Sequence, residues 1–309
     1  MLALELLQIS LGVRQSFSYN PSQADWKEMF EFGIKHSLLG ILYVGLEKIE
    51  KNLLPEKPLL LKWFGLAESI KKRNLLLNSQ CKSLHEMITA DGLQYCVLKG
   101  QGVASLYEGR LKEYRASGDI DIWINAPQRK VLDWVRTKSA IQHFDYMHTY
   151  MQVFPTTPVE VHYRPMISRN VLRMKMLQKL AKQYNGTTFV KNEALGFCVP
   201  DKIYNAVHIF HHIYWHLLVE GVGLRQVVDM YFVLRNLATD AERKKVYGEI
   251  EYLGLEKFCS ALMWVLREKL LLDEKYLICA PNKNEGEFLW TEIIQSGNMG
   301  HFDKRLFST

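Results

Sequence analysis

The chain has 309 residues, 48% of them hydrophobic and 23% charged, a balance that suits a globular protein of one large domain or two to three small ones. Its 39 basic and 33 acidic residues leave a net charge of +6, which suits an anionic ligand but is too mild to argue for DNA or RNA. Five scattered cysteines with no C-x-x-C argue against a disulfide framework and a structural zinc site. The N-terminus lacks a basic region followed by a long apolar stretch, and the best apolar run, Leu38 to Leu46, is too short to span a bilayer. The expectation is a protein of the reducing cytoplasm with no membrane partner.

Residues 1–90 read as an N-terminal helical region. Ser22 is placed to cap a helix from near Ala24, with Trp26, Met29, Phe30, Gly33 and Ile34 at helical spacing. After Pro55 and Pro58, a long helix is predicted from about Leu59 to Ala90, its apolar face built of Leu66, Ile70, Leu77, Leu84 and Ile88. The character changes at Asp91-Gly92, a turn signal, and residues 91–195 read as a mixed core. Tyr95 to Leu98 suit a short buried strand, broken by Lys99-Gly100-Gln101-Gly102 ahead of a helix from Val103. Pro127 opens a helix running to about Lys138. Residues 143–154 look extended, and Pro158 to Tyr163 alternate as a strand. From Pro200-Asp201 the chain reads as a C-terminal helical region, 196–309, with Ile203, Val207, Phe210, Ile213, Tyr214 and Leu217 as one stripe. The stretch 296–301 reads as loop, and the chain is expected to stop short of a domain end.

Within the core, Gly118-Asp119-Ile120-Asp121-Ile122-Trp123-Ile124 carries the most chemistry. Side chains alternate along a strand, so Asp119 and Asp121 share one face and Ile120 and Ile122 the other. Two adjacent carboxylates repel, and burial raises their pKa values. A divalent cation such as Mg²⁺ removes that penalty. In Val159-Glu160-Val161-His162, Glu160 and His162 likewise share a face.

These pieces fall in order: a strand and Gly-containing turn at Leu98-Lys99-Gly100, the acid pair Asp119/Asp121, and a single acid at Glu160. The order resembles the DNA polymerase β-like nucleotidyltransferase superfamily. It is most similar to the bacterial branch called nucleotidyltransferase family 5, through Tyr107, Arg115, Val159 to Arg164, His208 to His216, and Gly223 to Asp229. The resemblance spans about residues 25–300. It departs in two places: Gly100 is followed by Gln101 where Gly or Ser is usual, and the gap from Gly100 to Asp119 is longer.

The resemblance implies an α+β fold, a small mixed sheet with flanking helices, and Mg²⁺-dependent transfer of a nucleoside monophosphate from an NTP, with release of pyrophosphate. Two metal ions about 3.5–4 Å apart support this chemistry in many phosphoryl-transfer sites. Asp119, Asp121 and Glu160 would be catalytic and hold two Mg²⁺ ions, with Mn²⁺ as a substitute. Glu160 would take the acceptor proton. Gly100 would admit phosphate to the backbone, and Lys99 and Arg115 would neutralise triphosphate charge. The acceptor stays open between a small molecule, a protein and RNA, with long nucleic acid disfavoured.

Two other readings stand beside it. One is a catalytically inactive nucleotide-binding protein of the same fold, to which the atypical Gly100-Gln101 turn points. The other is a hydrolase using Asp121 and Glu160 as a carboxylate pair. His208, His212 and His216 lie four apart on one helix face but lack H-E-x-x-H, so packing is expected rather than zinc. Asp229 is expected to cap its helix or pair with Arg225.

Overall fold

The computed structural model describes residues 1–141, 143–184 and 189–300. Helix α1 (Leu2–Leu11), α2 (Gln23–Lys35) and α3 (Leu39–Leu46) lead into a 34-residue helix, α4 (Lys57–Ala90). Ser22 caps α2 as expected: its hydroxyl accepts from the Asp25 amide, and the Asp25 carboxylate accepts from the Ser22 amide in return. The buried side of α4 differs from the predicted stripe in its first half. Leu66 is exposed, and Trp63 and Ala67 face the core instead. Trp63 sets this rotation, since its indole donates to the Leu39 carbonyl at 2.8 Å and packs edge-on against Phe30.

Next come β1 (Tyr95–Leu98), α5 (Gly100–Ala104), α6 (Leu111–Tyr114), β2 (Ile120–Ile124), α7 (Gln128–Lys138), β3 (His148–Met151) and β4 (Val159–His162). The extended stretch expected over 143–154 shrinks to β3. The Asp145 carboxylate accepts from the Met147 and His148 amides, folding the preceding residues into a turn. Helix α8 (Val171–Gln183) and a hairpin of β5 (Phe189–Asn192) and β6 (Phe197–Pro200) follow; sequence periodicity had suggested neither. Helices α9 (Lys202–Val219), α10 (Leu224–Arg235), α11 (Asp240–Tyr252), α12 (Glu256–Leu270) and α13 (Lys283–Ser296) complete the described chain. Asp201 caps α9 through the Ile203 and Tyr204 amides. His301, the end of the predicted loop, lies outside the described residues.

The four-stranded sheet runs β1-β2-β4-β3, with β2 and β4 parallel and the other pairs antiparallel. This is the small mixed sheet of an α+β fold. One face, with Tyr95, Val97, Ile120, Ile122, Ile124, Val159 and Val161, closes a core against α4 and α7. The other face, with Cys96, Leu98 and Trp123, joins a larger core shared by the N- and C-terminal helices. Those two helical regions touch directly: α1 packs on α12, and the Gln8 amide donates to the Lys269 carbonyl at 2.8 Å.

Candidate active site

The parallel pairing sets Asp121 opposite Glu160 and Trp123 opposite His162. Period-two alternation then puts all four side chains on the face away from the α4/α7 core. Asp121 and His162 are buried there, and the His162 Nε2 lies 3.0 Å from Asp121 Oδ1 and 3.5 Å from Glu160 Oε2. Asp119 ends the loop that enters β2.

The turn after β1 brings the first basic group. Leu98 pairs with Asp121 across the β1/β2 ladder, so Lys99 leaves the strand beside the acids. Lys99 has φ 49° and ψ −143°, a conformation that costs a non-glycine residue about 1–3 kcal/mol. Gly100 follows with φ 37°, which its missing side chain permits. This double turn starts α5 three residues earlier than predicted and delivers the Lys99 Nζ to Asp121 Oδ1 at 2.8 Å. Gln101, the departure from the usual turn, points away from the acids. Its amide donates to Asn78 Oδ1 at 2.8 Å and so fastens α5 to α4.

Electrostatics separate the two aspartates. Burial works against the Asp121 carboxylate, but Lys99 and the His162 hydrogen bond outweigh it and hold its pKa below the ordinary range. Asp119 is pushed up to about 6, chiefly by the Asp121 charge and then by burial, with Lys99 only partly relieving it. Burial opposes charge on His162 and Lys99 too, yet their carboxylate neighbours raise both.

Arg115 does not face this cluster. Its Nε and Nη2 donate to Asp229 on α10 at 2.6 and 2.7 Å, and its Nη1 donates to Ser117 Oγ at 2.6 Å. All three guanidinium nitrogens are therefore engaged inside the fold. Asp229 pairs with Arg115, not with Arg225, and also accepts from the Tyr107 hydroxyl at 2.7 Å. Arg225 instead donates to the Ala116 carbonyl at 3.0 Å, so two arginines brace the loop that leads to Asp119.

The profile of a family described as uncharacterised nucleotidyltransferase matches residues 22–270. The chain belongs to that family. No curated protein matches the chain. Among solved structures, an antigenic nucleotidyltransferase-like protein from Paracoccidioides brasiliensis is similar at 12% identity, over 64% of this chain and 93% of that one, with a TM-score of 0.38. A likeness that distant carries no argument here.

Nucleotidyltransferases generally use divalent metals, and the described residues hold one tight group of metal-capable atoms. It consists of His148, Glu160 and His162, within 4.8 Å of one another. Asp119 and Asp121 stand outside that group, so of the three acids predicted to bind metal together, only Glu160 is in it. His148 escaped sequence reading because β3 pairing, which sequence does not display, sets it opposite His162. The predicted histidine face on α9 forms a ladder with Tyr204, whose ring stacks on Trp123. Burial, with Lys99 adding to it for His208, depresses His208 and His211 to about 3, so both stay neutral near pH 7. Among the described residues no helix is long and apolar enough to cross a membrane.

The raised Asp119 makes a stability prediction. Between pH 3.8 and about 6 the native state keeps a proton that the unfolded chain has lost, so stability falls as pH rises through that window. Asp119→Asn is therefore expected to stabilise the metal-free protein at pH 7 by about 1–2 kcal/mol, after allowance for partial solvent screening, and to leave it unchanged near pH 3.5. Urea denaturation at the two pH values checks this; a destabilised variant at pH 7 would contradict it.

Proposed function

We propose that the chain transfers a nucleoside monophosphate from an NTP to an acceptor hydroxyl, releasing pyrophosphate, at the acid face of the β2/β4 pair. The observation that carries this reading is the register of Asp121 opposite Glu160, with Asp119 entering the same strand beside a Lys99-Gly100 turn. The Lys99 ammonium is bonded to Asp121, and the Asp121 charge is still the chief cause of the rise of Asp119. A set of three carboxylates fits a hard cation. Asp119, Asp121 and Glu160 would hold a pair of Mg²⁺ ions, with Mn²⁺ as a substitute. When bound, such ions neutralise charge on the triphosphate and the attacking oxygen.

The chain's own residues divide the remaining work. Glu160 accepts the proton of the acceptor hydroxyl. Lys99 neutralises triphosphate charge once a cation takes its place on Asp121. Gly100 lets phosphate approach the backbone. Arg115 acts as a positioning residue through the 115–118 loop, since its nitrogens are already engaged. Residues 91–195 serve as the transferase core, with 1–90 and 196–309 as flanking helical regions. The acceptor is a small molecule, a protein or a short RNA.

A second reading, nucleotide binding without transfer, draws on two contacts. Lys99 already sits on Asp121, and Gln101 is turned into α4. Calorimetric titration with ATP, CTP, GTP and UTP, with and without Mg²⁺, separates the alternatives. Mg²⁺-dependent binding that Asp119→Asn abolishes is expected. Binding that ignores both the metal and the substitution would sink the proposal. Binding without pyrophosphate release across a broad acceptor panel would favour the second reading.

A further inference from the structure

The edge of the sheet carries a group of nitrogen donors that the carboxylate site does not use. In the antiparallel β3/β4 ladder His148 lies opposite His162, and Tyr150 lies opposite Glu160. All four side chains share one face, because each strand contributes residues two apart. The His148 and His162 ring centroids are 5.1 Å apart. Glu160 Oε2 sits between them, 4.0 Å from His148 Nε2 and 3.5 Å from His162 Nε2. Neither ring nitrogen of His148 has a hydrogen-bond partner, although both are buried. A buried polar atom left without a partner costs about 1–3 kcal/mol, which a cation on Nε2 would relieve, while the Asp145 carboxylate lies 3.7 Å from Nδ1.

We propose that His148 Nε2, His162 Nε2 and Glu160 Oε2 form a binding site for a zinc-class transition cation, adjoining the Mg²⁺ position at Asp119 and Asp121 and sharing Glu160 with it. The donor set decides the class. Imidazole nitrogens suit zinc and its neighbours, whereas Mg²⁺ demands oxygen ligands. Two histidines and one glutamate with an open position is a ligand set that catalytic zinc uses. Donors about 2.0–2.2 Å from one cation lie about 3–3.5 Å from each other; the Glu160–His162 pair already meets this spacing, and His148, with the three donors within 4.8 Å of one another, must move closer. Asp121 Oδ1, 3.0 Å from His162 Nε2, is a further oxygen beside the site. His148 is on a sheet edge, with its side chain 13% exposed. The site needs no nucleotide and stands whether or not the chain transfers one.

The test uses the full chain stripped with a chelator and then titrated with Co²⁺ and Zn²⁺. A single Co²⁺ equivalent with a visible d–d absorption band, displaced by Zn²⁺ and not by millimolar Mg²⁺, is expected. His148→Ala is expected to weaken Co²⁺ binding at least 100-fold while unfolding cooperatively, because β3 is an edge strand. His162→Gln should do the same and guards against a folding artefact in either variant. Asp119→Asn is expected to keep the Co²⁺ band while losing Mg²⁺-dependent nucleotide binding, so the two proposals fail separately. His212→Ala should leave the band unchanged. Absence of the band in the wild type, displacement by Mg²⁺, or loss of binding in His212→Ala but not in His148→Ala would overturn the proposal.

Discussion

Asp121→Asn is expected to lower the rate of pyrophosphate release from an NTP by about a thousandfold or more. Losing a single electrostatic contact to a transition state already costs about 10²–10³ in rate, and Asp121 carries more than one role. It takes the Lys99 ammonium at 2.8 Å and the His162 ring at 3.0 Å, and it is the acid in register with Glu160. A thousandfold loss corresponds to about 4 kcal/mol of transition-state stabilisation. The same substitution also weakens the fold, because Lys99 stays buried with its partner neutralised. Activity loss alone would thus be ambiguous. Asp119→Asn resolves it, since that change is expected to stabilise the metal-free chain while abolishing transfer. The two aspartates, two residues apart, should move stability in opposite directions and activity in the same one. Transfer that persists within tenfold in both variants would end the assignment of these acids to catalysis.

The second large effect lies away from the reacting groups. Asp229→Ala is expected to destabilise the protein by about 3–5 kcal/mol, the usual cost of leaving one partner of a buried ion pair alone. The Arg115 and Asp229 side chains are only 3% and 6% exposed, and their contact is bidentate. Removing the carboxylate strands the guanidinium and the Tyr107 hydroxyl together. Arg115→Met combined with Asp229→Leu is expected to recover most of that loss, because apolar replacement of both partners removes the orphaned charge. Urea denaturation of the two singles and the double reads the coupling directly. A single-variant cost under about 1 kcal/mol would show that the pair is not the brace described here. In the double variant the loop at 115–118 loses one of its two ties to α10 and keeps only the Arg225 bond to the Ala116 carbonyl. Transfer activity should then fall even where stability returns, which a purely structural role for the pair would not produce.

The acid pair was legible because its cause is local. Alternation along a strand needs only the order of residues, so Asp119 and Asp121 against Ile120 and Ile122 read directly from the chain. The Ser22 and Asp201 caps were visible for the same reason, each side chain reaching amides two or three residues on. Periodicity was less reliable on α4, where several stripes fit a 34-residue helix and a single hydrogen bond from Trp63 to Leu39 chose between them.

Residue order by itself therefore determined the N- and C-terminal helical regions, the acid-bearing strand and the family to which the chain belongs, but not α8 or the β5/β6 hairpin. Tertiary structure alone decided which strands neighbour each other, and with that which side chains meet. The parallel β2/β4 register brought Glu160 to Asp121, and the β3 edge brought His148 to His162. A contact between Arg115 and Asp229, 114 residues apart, turned an expected phosphate ligand into a buried brace. Strand pairing and long-range ion pairs depend on which surfaces the whole core leaves facing one another, and no local pattern in the chain records that.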